Sequence, residues 1–248
     1  MSVPLIVTPE HQTVVPSGKT VIFRPFLVKE EKLMLTIKEN QRTDEVMRVM
    51  KQVVSNCVID DKFDVDKISY NDLEHLFVMM RARSVGESVE FPFSCKECDY
   101  EGATEIDITK IQLSRPVPED DTVMLNESVG VKVKPVGVKG MAHLAKVADT
   151  DPLSMLNHVI EYIYNKEQMW KIDDMSQKEI TDFVETLSLT QVQKIMGKVE
   201  EFPRCCIKDT VTCPSCQKQQ EINVEGLENF RGSYPHKLLS YDSCTHES

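Results

Sequence analysis

Eight cysteines stand in this chain of 248 residues, and four of them form two CxxC pairs, Cys95-Lys96-Glu97-Cys98 and Cys213-Pro214-Ser215-Cys216. One CxxC turn lets two thiolates converge on an ion, and two turns supply the four soft donors of a tetrahedral zinc site, with Zn–S near ~2.3 Å. Cys95, Cys98, Cys213 and Cys216 are therefore the expected ligands of a single zinc ion. Four thiolates leave no open position for water, so the expected role of the metal is structural rather than catalytic. An iron–sulfur centre uses the same donors, and spacing does not separate the two. A thioredoxin-like redox pair would follow a strand and open a helix. Here alternating apolar residues flank both turns: Val89, Phe91 and Phe93 precede Cys95, Ile106 and Ile108 follow Cys98, Ile207 and Val211 precede Cys213, and Ile222 and Val224 follow Cys216. Each pair reads as the knuckle of a β-ribbon.

The remaining candidates for chemistry are weaker. Cys57 lies on an apolar helical face and reads as core, whereas Cys205, Cys206 and Cys244 read as buried small residues or free thiols, with Cys206 the best-placed substitute ligand. Asp60, Asp61, Asp64 and Asp66 lack the glycine and terminal glutamate of a calcium loop and read as a solvated turn. His75 and His158 have no second ligand at helical spacing and are expected at surface or boundary positions. With no Gly-rich phosphate loop, no GxSxG and no HExxH, the chain is expected not to be an enzyme.

The elements that would carry the cysteines follow from hydrophobic period. Thr20 to Val28 reads as a short strand, and a helix is expected from Lys29. Val46, Val49, Met50, Val53, Val54 and Cys57 recur at helical spacing behind Thr43 as N-cap; Leu73, Leu76, Phe77 and Met80 do so behind a capping box of Ser69 and Asp72. The proline- and acid-rich stretch 114–121 suits a linker. Then the order returns. Val129, Val131 and Val133 alternate as a strand, and Lys134-Pro135-Val136-Gly137-Val138-Lys139 echoes Arg24-Pro25-Phe26-Leu27-Val28-Lys29 at an offset of 110. At that offset the helix over Val46 to Val54 falls on Leu156, Val159, Ile160, Ile163 and Tyr164, all apolar, with Asp151 and Pro152 as cap and first helical residue. Ile59-Asp60-Asp61 answers to Ile172-Asp173-Asp174. Ser176 and Glu179 form a capping box before Ile180, Phe183, Val184 and Leu187, and a further helix carries Val192, Ile195, Met196 and Val199. The offset reaches 118 between Cys95 and Cys213.

The expected fold is thus α+β and helix-rich: two tandem pseudo-repeats, each a strand, helices and a CxxC β-ribbon, joined at a shared zinc-ribbon site. Residues 1–113 form the first repeat, 114–121 the linker, 122–225 the second repeat and 226–248 a tail that docks on a partner or stays free.

Composition narrows the function. A hydrophobic share of 41% with 28% charged residues is that of a folding chain. The start, Met1-Ser2-Val3-Pro4-Leu5, lacks the basic and apolar stretches of a signal peptide, and no apolar run nears the ~20 residues of a membrane span, so a cytosolic site of synthesis is expected. There thiols stay reduced, which favours metal over disulfides. A formal net charge of −11 opposes binding to phosphate backbones, so nucleic acid is not the expected partner. A zinc-ribbon nucleic-acid-binding regulator remains the alternative, weakened by Glu97, Asp99 and Glu101 beside the first knuckle.

Pro16-Ser17-Gly18-Lys19, Phe23-Arg24-Pro25-Phe26, Val28-Lys29-Glu30-Glu31-Lys32-Leu33, Ser55-Asn56-Cys57 and Arg83-Ser84-Val85-Gly86-Glu87 together resemble the baseplate hub and hub-assembly proteins of T-even-type tailed phages. The resemblance is sharpest over roughly residues 14 to 100 and extends more weakly to Val224. It implies a part in building the hub of a contractile-tail baseplate, as a minor hub component or as an assembly factor absent from the particle. Other hub proteins are then the partners, and the host cytoplasm, or the virion tail, is the location. It carries over no catalytic residue. Met34, Met47, Met50, Met79 and Met80 are candidates for an adaptable contact surface, with Met50 and Met80 better placed as core.

Overall fold

The computed structural model describes residues 7–40, 43–147 and 152–225. Strands β1 (His11–Val14) and β2 (Thr20–Phe23) form an antiparallel hairpin closed at Gly18, whose φ of 82° no β-branched residue would accept. Helices α1 (Val28–Asn40), α2 (Thr43–Cys57) and α3 (Tyr70–Ser84) follow, then the ribbon β3 (Ser88–Ser94) and β4 (Glu101–Asp107). The short β5 (Gln112–Leu113) precedes the 114–121 stretch, which holds no strand or helix. A four-stranded antiparallel meander then forms from β6 (Thr122–Met124), β7 (Val129–Val133), β8 (Ile160–Asn165) and β9 (Met169–Lys171), with α4 (Val138–Val147) and α5 (Leu156–Val159) between β7 and β8. Helices α6 (Gln177–Glu185) and α7 (Leu189–Glu200) lead into the second ribbon, β10 (Cys205–Thr212) and β11 (Gln219–Glu225). Strand β5 joins it at the outer edge of β10.

Burial explains the helical spacing read from the sequence. Val46, Val49, Met50, Val53, Val54 and Cys57 all face one core, together with Leu73, Leu76, Phe77 and Met80 from α3. That core also takes in Val138 of α4 and Cys205, Ile207 and Val224 of the second ribbon. Met34, Met47, Met50 and Met80 are buried and Met79 is packed against the same core, so Met50 and Met80 are core as expected and the contact-surface reading of the other three is corrected. A second core lies under the meander, where Val123, Val131, Ile163 and Trp170 pair in one cross-strand row facing Ile180 and Ile195 of α6 and α7.

Two expectations change. The segment Leu156 to Tyr164 is not a helix like α2: α5 stops at Val159, and Ile160 onward is strand β8. Ile160-Glu161-Tyr162-Ile163-Tyr164 is β-branched and aromatic, and as a strand it pairs with β7 on one side and β9 on the other, which outweighs its apolar helical period. The Ser69–Asp72 capping box is half formed. Ser69 accepts the Asp72 N–H at 3.0 Å, but the Asp72 carboxylate turns to the Ser17 N–H at 3.0 Å and ties the hairpin to α3. The box at Ser176 and Glu179 is complete, and so is a further one at Ser188 and Gln191, which hydrophobic period does not disclose. The expected caps at Thr43 and Asp151 lie outside the described side chains, and the tail 226–248 lies outside the described residues.

Two glycines test these local readings in opposite senses. Gly86, after α3, holds φ at +143° with open space around its Cα, so Gly86→Ala is expected to destabilise by about 1 kcal/mol or more through backbone strain alone. Gly197 lies inside α7 with nothing near the place a methyl group would take, so Gly197→Ala is expected to stabilise by about 0.5–1 kcal/mol. Urea titration of both variants reads the two signs.

Candidate metal centre

The ribbons β3–β4 and β10–β11 share one register. In the first, Ser88 pairs with Asp107 and Ser94 with Glu101; 118 residues on, Cys206 pairs with Glu225 and Thr212 with Gln219. Both knuckles also close in the same way. The Cys95 N–H donates to the Tyr100 carbonyl at 2.8 Å and the Cys213 N–H to the Lys218 carbonyl at 2.9 Å. Asp99 and Gln217, each directly after the second cysteine of its pair, take φ values of 52° and 61°. That left-handed residue, rare outside glycine, turns the chain so that the next N–H points back at sulfur. Tyr100 donates its N–H to Cys98 and Lys218 donates its own to Cys216.

The two knuckles meet. The Sγ atoms of Cys95, Cys98, Cys213 and Cys216 lie within 4.8 Å of one another. Cys95 and Cys216 are 3.7 Å apart across the ribbons, and Cys98 and Cys213 are 3.6 Å apart. A tetrahedron with metal–sulfur bonds of ~2.3 Å has edges of ~3.8 Å, so these separations fit four ligands of one ion. They far exceed the ~2.05 Å of a disulfide, and all four thiols are free. Cys95 and Cys213 are buried while Cys98 and Cys216 are partly exposed, so the cluster sits at the ribbon tips with one side toward solvent. Phe93, Val211, Tyr100 and Ile222 pack beneath it as a small third core, with the Phe93 and Tyr100 rings 6.4 Å apart.

Electrostatics acts in opposite senses on the two partly exposed thiols. Burial raises the Cys98 pKa, but hydrogen bonds with Cys216, the Tyr100 N–H, Ser215 and Cys213 outweigh it and bring the thiol down to about 7. At Cys216 the Lys218 N–H favours the thiolate, but burial and the hydrogen bonds with Cys98, Cys213 and Cys95 push the thiol up to about 12. Cys98 and Cys216 are hydrogen-bonded to each other, so these two thiols titrate together, and a cation bound by both displaces the protons they hold. Outside the sulfurs, Lys218 pairs with Glu97 across the two knuckles. Gln220 of β11 donates its side-chain N–H to Cys95 Sγ at 2.9 Å and accepts the Lys96 N–H at 3.3 Å. These bridging residues were not evident from the sequence; only the left-handed positions after each CxxC, Asp99 and Gln217, follow from knuckle geometry.

The other candidates lie elsewhere. Cys57 is fully buried in the first core, where burial pushes its thiol up to about 12 against the pull of Arg24. Cys206, considered a substitute ligand, is buried in β10 with Gln112 and Glu225 as its strand partners and does not join the sulfur cluster. Cys205 is buried and donates to the Asn71 carbonyl, and Cys244 lies outside the described residues. His75 bonds Thr13 Oγ1 at 2.9 Å, and burial holds its imidazole below the usual pKa. His158 packs against His143 with ring centroids 4.9 Å apart. The acidic run is structural: Asp60 accepts from the Lys62 N–H, Asp64 from the Asp66 N–H, and Asp66 pairs with Lys51.

Four of the five stretches that carry the family resemblance meet at one clasp. Arg24, after β2, makes a two-point ion pair with fully buried Glu30 at 3.1 and 3.2 Å and donates to the Asn56 carbonyl at the end of α2 at 2.8 Å. Ser84 accepts the Phe26 N–H at 2.7 Å and donates to the Met80 carbonyl. Among the described residues no helix is long and apolar enough to cross a membrane. No curated protein and no solved structure gives a significant match to the chain. A protein-family comparison does: the family described as T4 bacteriophage base plate protein matches residues 8–230, which takes in the clasp, both ribbons and all four clustered cysteines. The chain belongs to the T4-type bacteriophage base plate protein family.

Proposed function

We propose that this protein is a non-enzymatic baseplate hub assembly protein, acting as an assembly factor or minor hub subunit that binds other hub proteins in the host cytoplasm. Family membership over residues 8–230 carries the reading. The hub-type pattern around Arg24, Asn56 and Ser84 supports its finer form, because those residues are spent on holding helices together and leave a rigid body suited to presenting surfaces. A phage carrying a stop codon in this gene, complemented or not from a plasmid, tests it. Electron microscopy of uncomplemented lysates is expected to show baseplate parts without completed hubs and no tails; normal baseplates would overturn the proposal. Mass spectrometry of purified virions beside infected-cell lysate separates the two modes, since a subunit persists in the particle and an assembly factor does not.

The metal in this reading is a structural zinc ion held by Cys95, Cys98, Cys213 and Cys216, supported by sulfur separations near a tetrahedral edge. It would join two lobes, residues 1–113 and 122–225, that descend from one duplicated unit. The shared ribbon register supports this, and so does the bond from the residue after the strand to the last carbonyl of the second α-helix that follows, Arg24 N–H to Cys57 at 2.9 Å and Lys134 N–H to Val159 at 2.7 Å. By that bond α5 answers to the end of α2, and the β8–β9 hairpin is an addition of the second lobe. Protein purified without added metal is expected to hold one zinc per chain; iron with visible absorption would reassign the ion.

A further inference from the structure

We propose that Gln220 is a positioning residue of the metal centre, which fixes the Cys95 sulfur from the opposite ribbon and draws negative charge from it. The inference rests on the four-thiolate zinc reading and deepens it. The amide of Gln220 makes two contacts at once. Its N–H reaches Cys95 Sγ at 2.9 Å, and its carbonyl accepts the Lys96 N–H at 3.3 Å, inside the first CxxC. It therefore spans from β11 to the knuckle that β3 and β4 present, and locks a backbone atom and a ligand atom in one move. The Glu97 N–H already approaches Cys95 Sγ at 3.4 Å, so Gln220 adds a shorter second donor to one sulfur.

The contact is one-sided. In the shared register the place 118 residues before Gln220 is Gly102, and the Tyr100 ring occupies the space where a side chain at Gly102 would begin. No matching amide therefore crosses from the first ribbon to the second at that position. Four thiolates around a divalent cation leave a net charge of −2, and Glu97, Asp99 and Glu101 of the first knuckle raise the cost of that charge. An N–H aimed at sulfur offsets part of that charge and holds the ligand in place, as outer-shell partners do at metal sites. Lys218, paired with Glu97 across the knuckles, removes one of the opposing charges.

The test uses the full-length chain loaded with zinc, and with cobalt(II) as a spectroscopic stand-in. Gln220→Ala is expected to weaken zinc retention against a chromogenic chelator by roughly 10-fold, within the range for loss of an outer-shell partner. The sulfur-to-cobalt charge-transfer band is expected to move to longer wavelength, because a thiolate without its donor gives up charge more readily. Gln220→Glu, of the same shape but with no N–H and an added charge, is expected to lose more than alanine. Glu221→Gln, on the exposed side of β11, is expected to leave both readouts unchanged. Wild-type protein that binds neither zinc nor cobalt would overturn the metal reading itself. Metal binding by the wild type, with Gln220→Ala and Gln220→Glu matching it in affinity and spectrum, would overturn this inference alone.

Discussion

Replacing Cys213 by serine is expected to abolish metal retention and to lower the unfolding free energy by about 4 kcal/mol, roughly a 10 °C fall in Tm. The argument is topological. An ion that ties Cys98 to Cys213 closes a loop of 115 residues. Chain-entropy estimates for a cross-link over ~100 residues give about 4–5 kcal/mol, more than a surface ion pair or a helix cap supplies. The loss is expected to stop short of complete unfolding, because the two larger cores are built from other residues. Thermal unfolding of the metal-loaded wild type, with and without a strong chelator, should show the same drop, and the chelator should do nothing further to Cys213→Ser. Cys206→Ser is the control. It is just as buried but lies outside the cluster, so it is expected to cost packing energy while keeping the metal. A wild-type protein whose Tm ignores the chelator would remove the cross-link from the energetics of the fold.

The two knuckles were legible in the sequence because CxxC spacing and flanking alternation are local signals. That the knuckles touch was an inference from the repeat, across a separation of more than a hundred residues. The same repeat misled at Leu156 to Tyr164, where apolar positions at offset 110 matched α2 but the residue types favoured a strand. Hydrophobic period records which positions are buried; it does not record whether a neighbouring strand offers an edge, and β7 and β9 both do. The contact-surface reading of Met34, Met47 and Met79 failed for a related reason, since composition does not say which face of a helix meets a core. Gln220 and the Glu97–Lys218 pair are contacts between residues 121 or more apart that obey no spacing rule, so only three-dimensional structure discloses them.

Glu30→Gln is expected to destabilise the protein by about 3–5 kcal/mol, the usual cost of stripping one partner from a buried ion pair. The side chain of Glu30 is fully buried and its oxygens are used by Arg24, by the Leu27 N–H at 2.9 Å and by Asn56 at 3.3 Å. Arg24 in turn satisfies the Pro25 and Asn56 carbonyls, and the latter would otherwise be an unpaired group at the end of α2. Removing the carboxylate's charge leaves a guanidinium with 13% exposure without the carboxylate that paired with it. Arg24→Met should cost as much for the converse reason, while the double variant Arg24→Met with Glu30→Leu should cost less than the two singles combined, because no charge is then left buried. Acid gives an independent reading. Burial raises the Glu30 pKa, but the bonds from Arg24 and Leu27 and the charges of Arg24 and Lys29 overcome it and hold the carboxyl below its ordinary value. A depressed folded-state pKa means the contribution is complete above the unfolded value, near ~4.3, and is lost as pH falls through the folded one. Wild-type stability should therefore drop on acidification in that window, and the Glu30→Gln curve should be flatter there. Parallel curves would show that the clasp is held by packing, with its charges contributing nothing net.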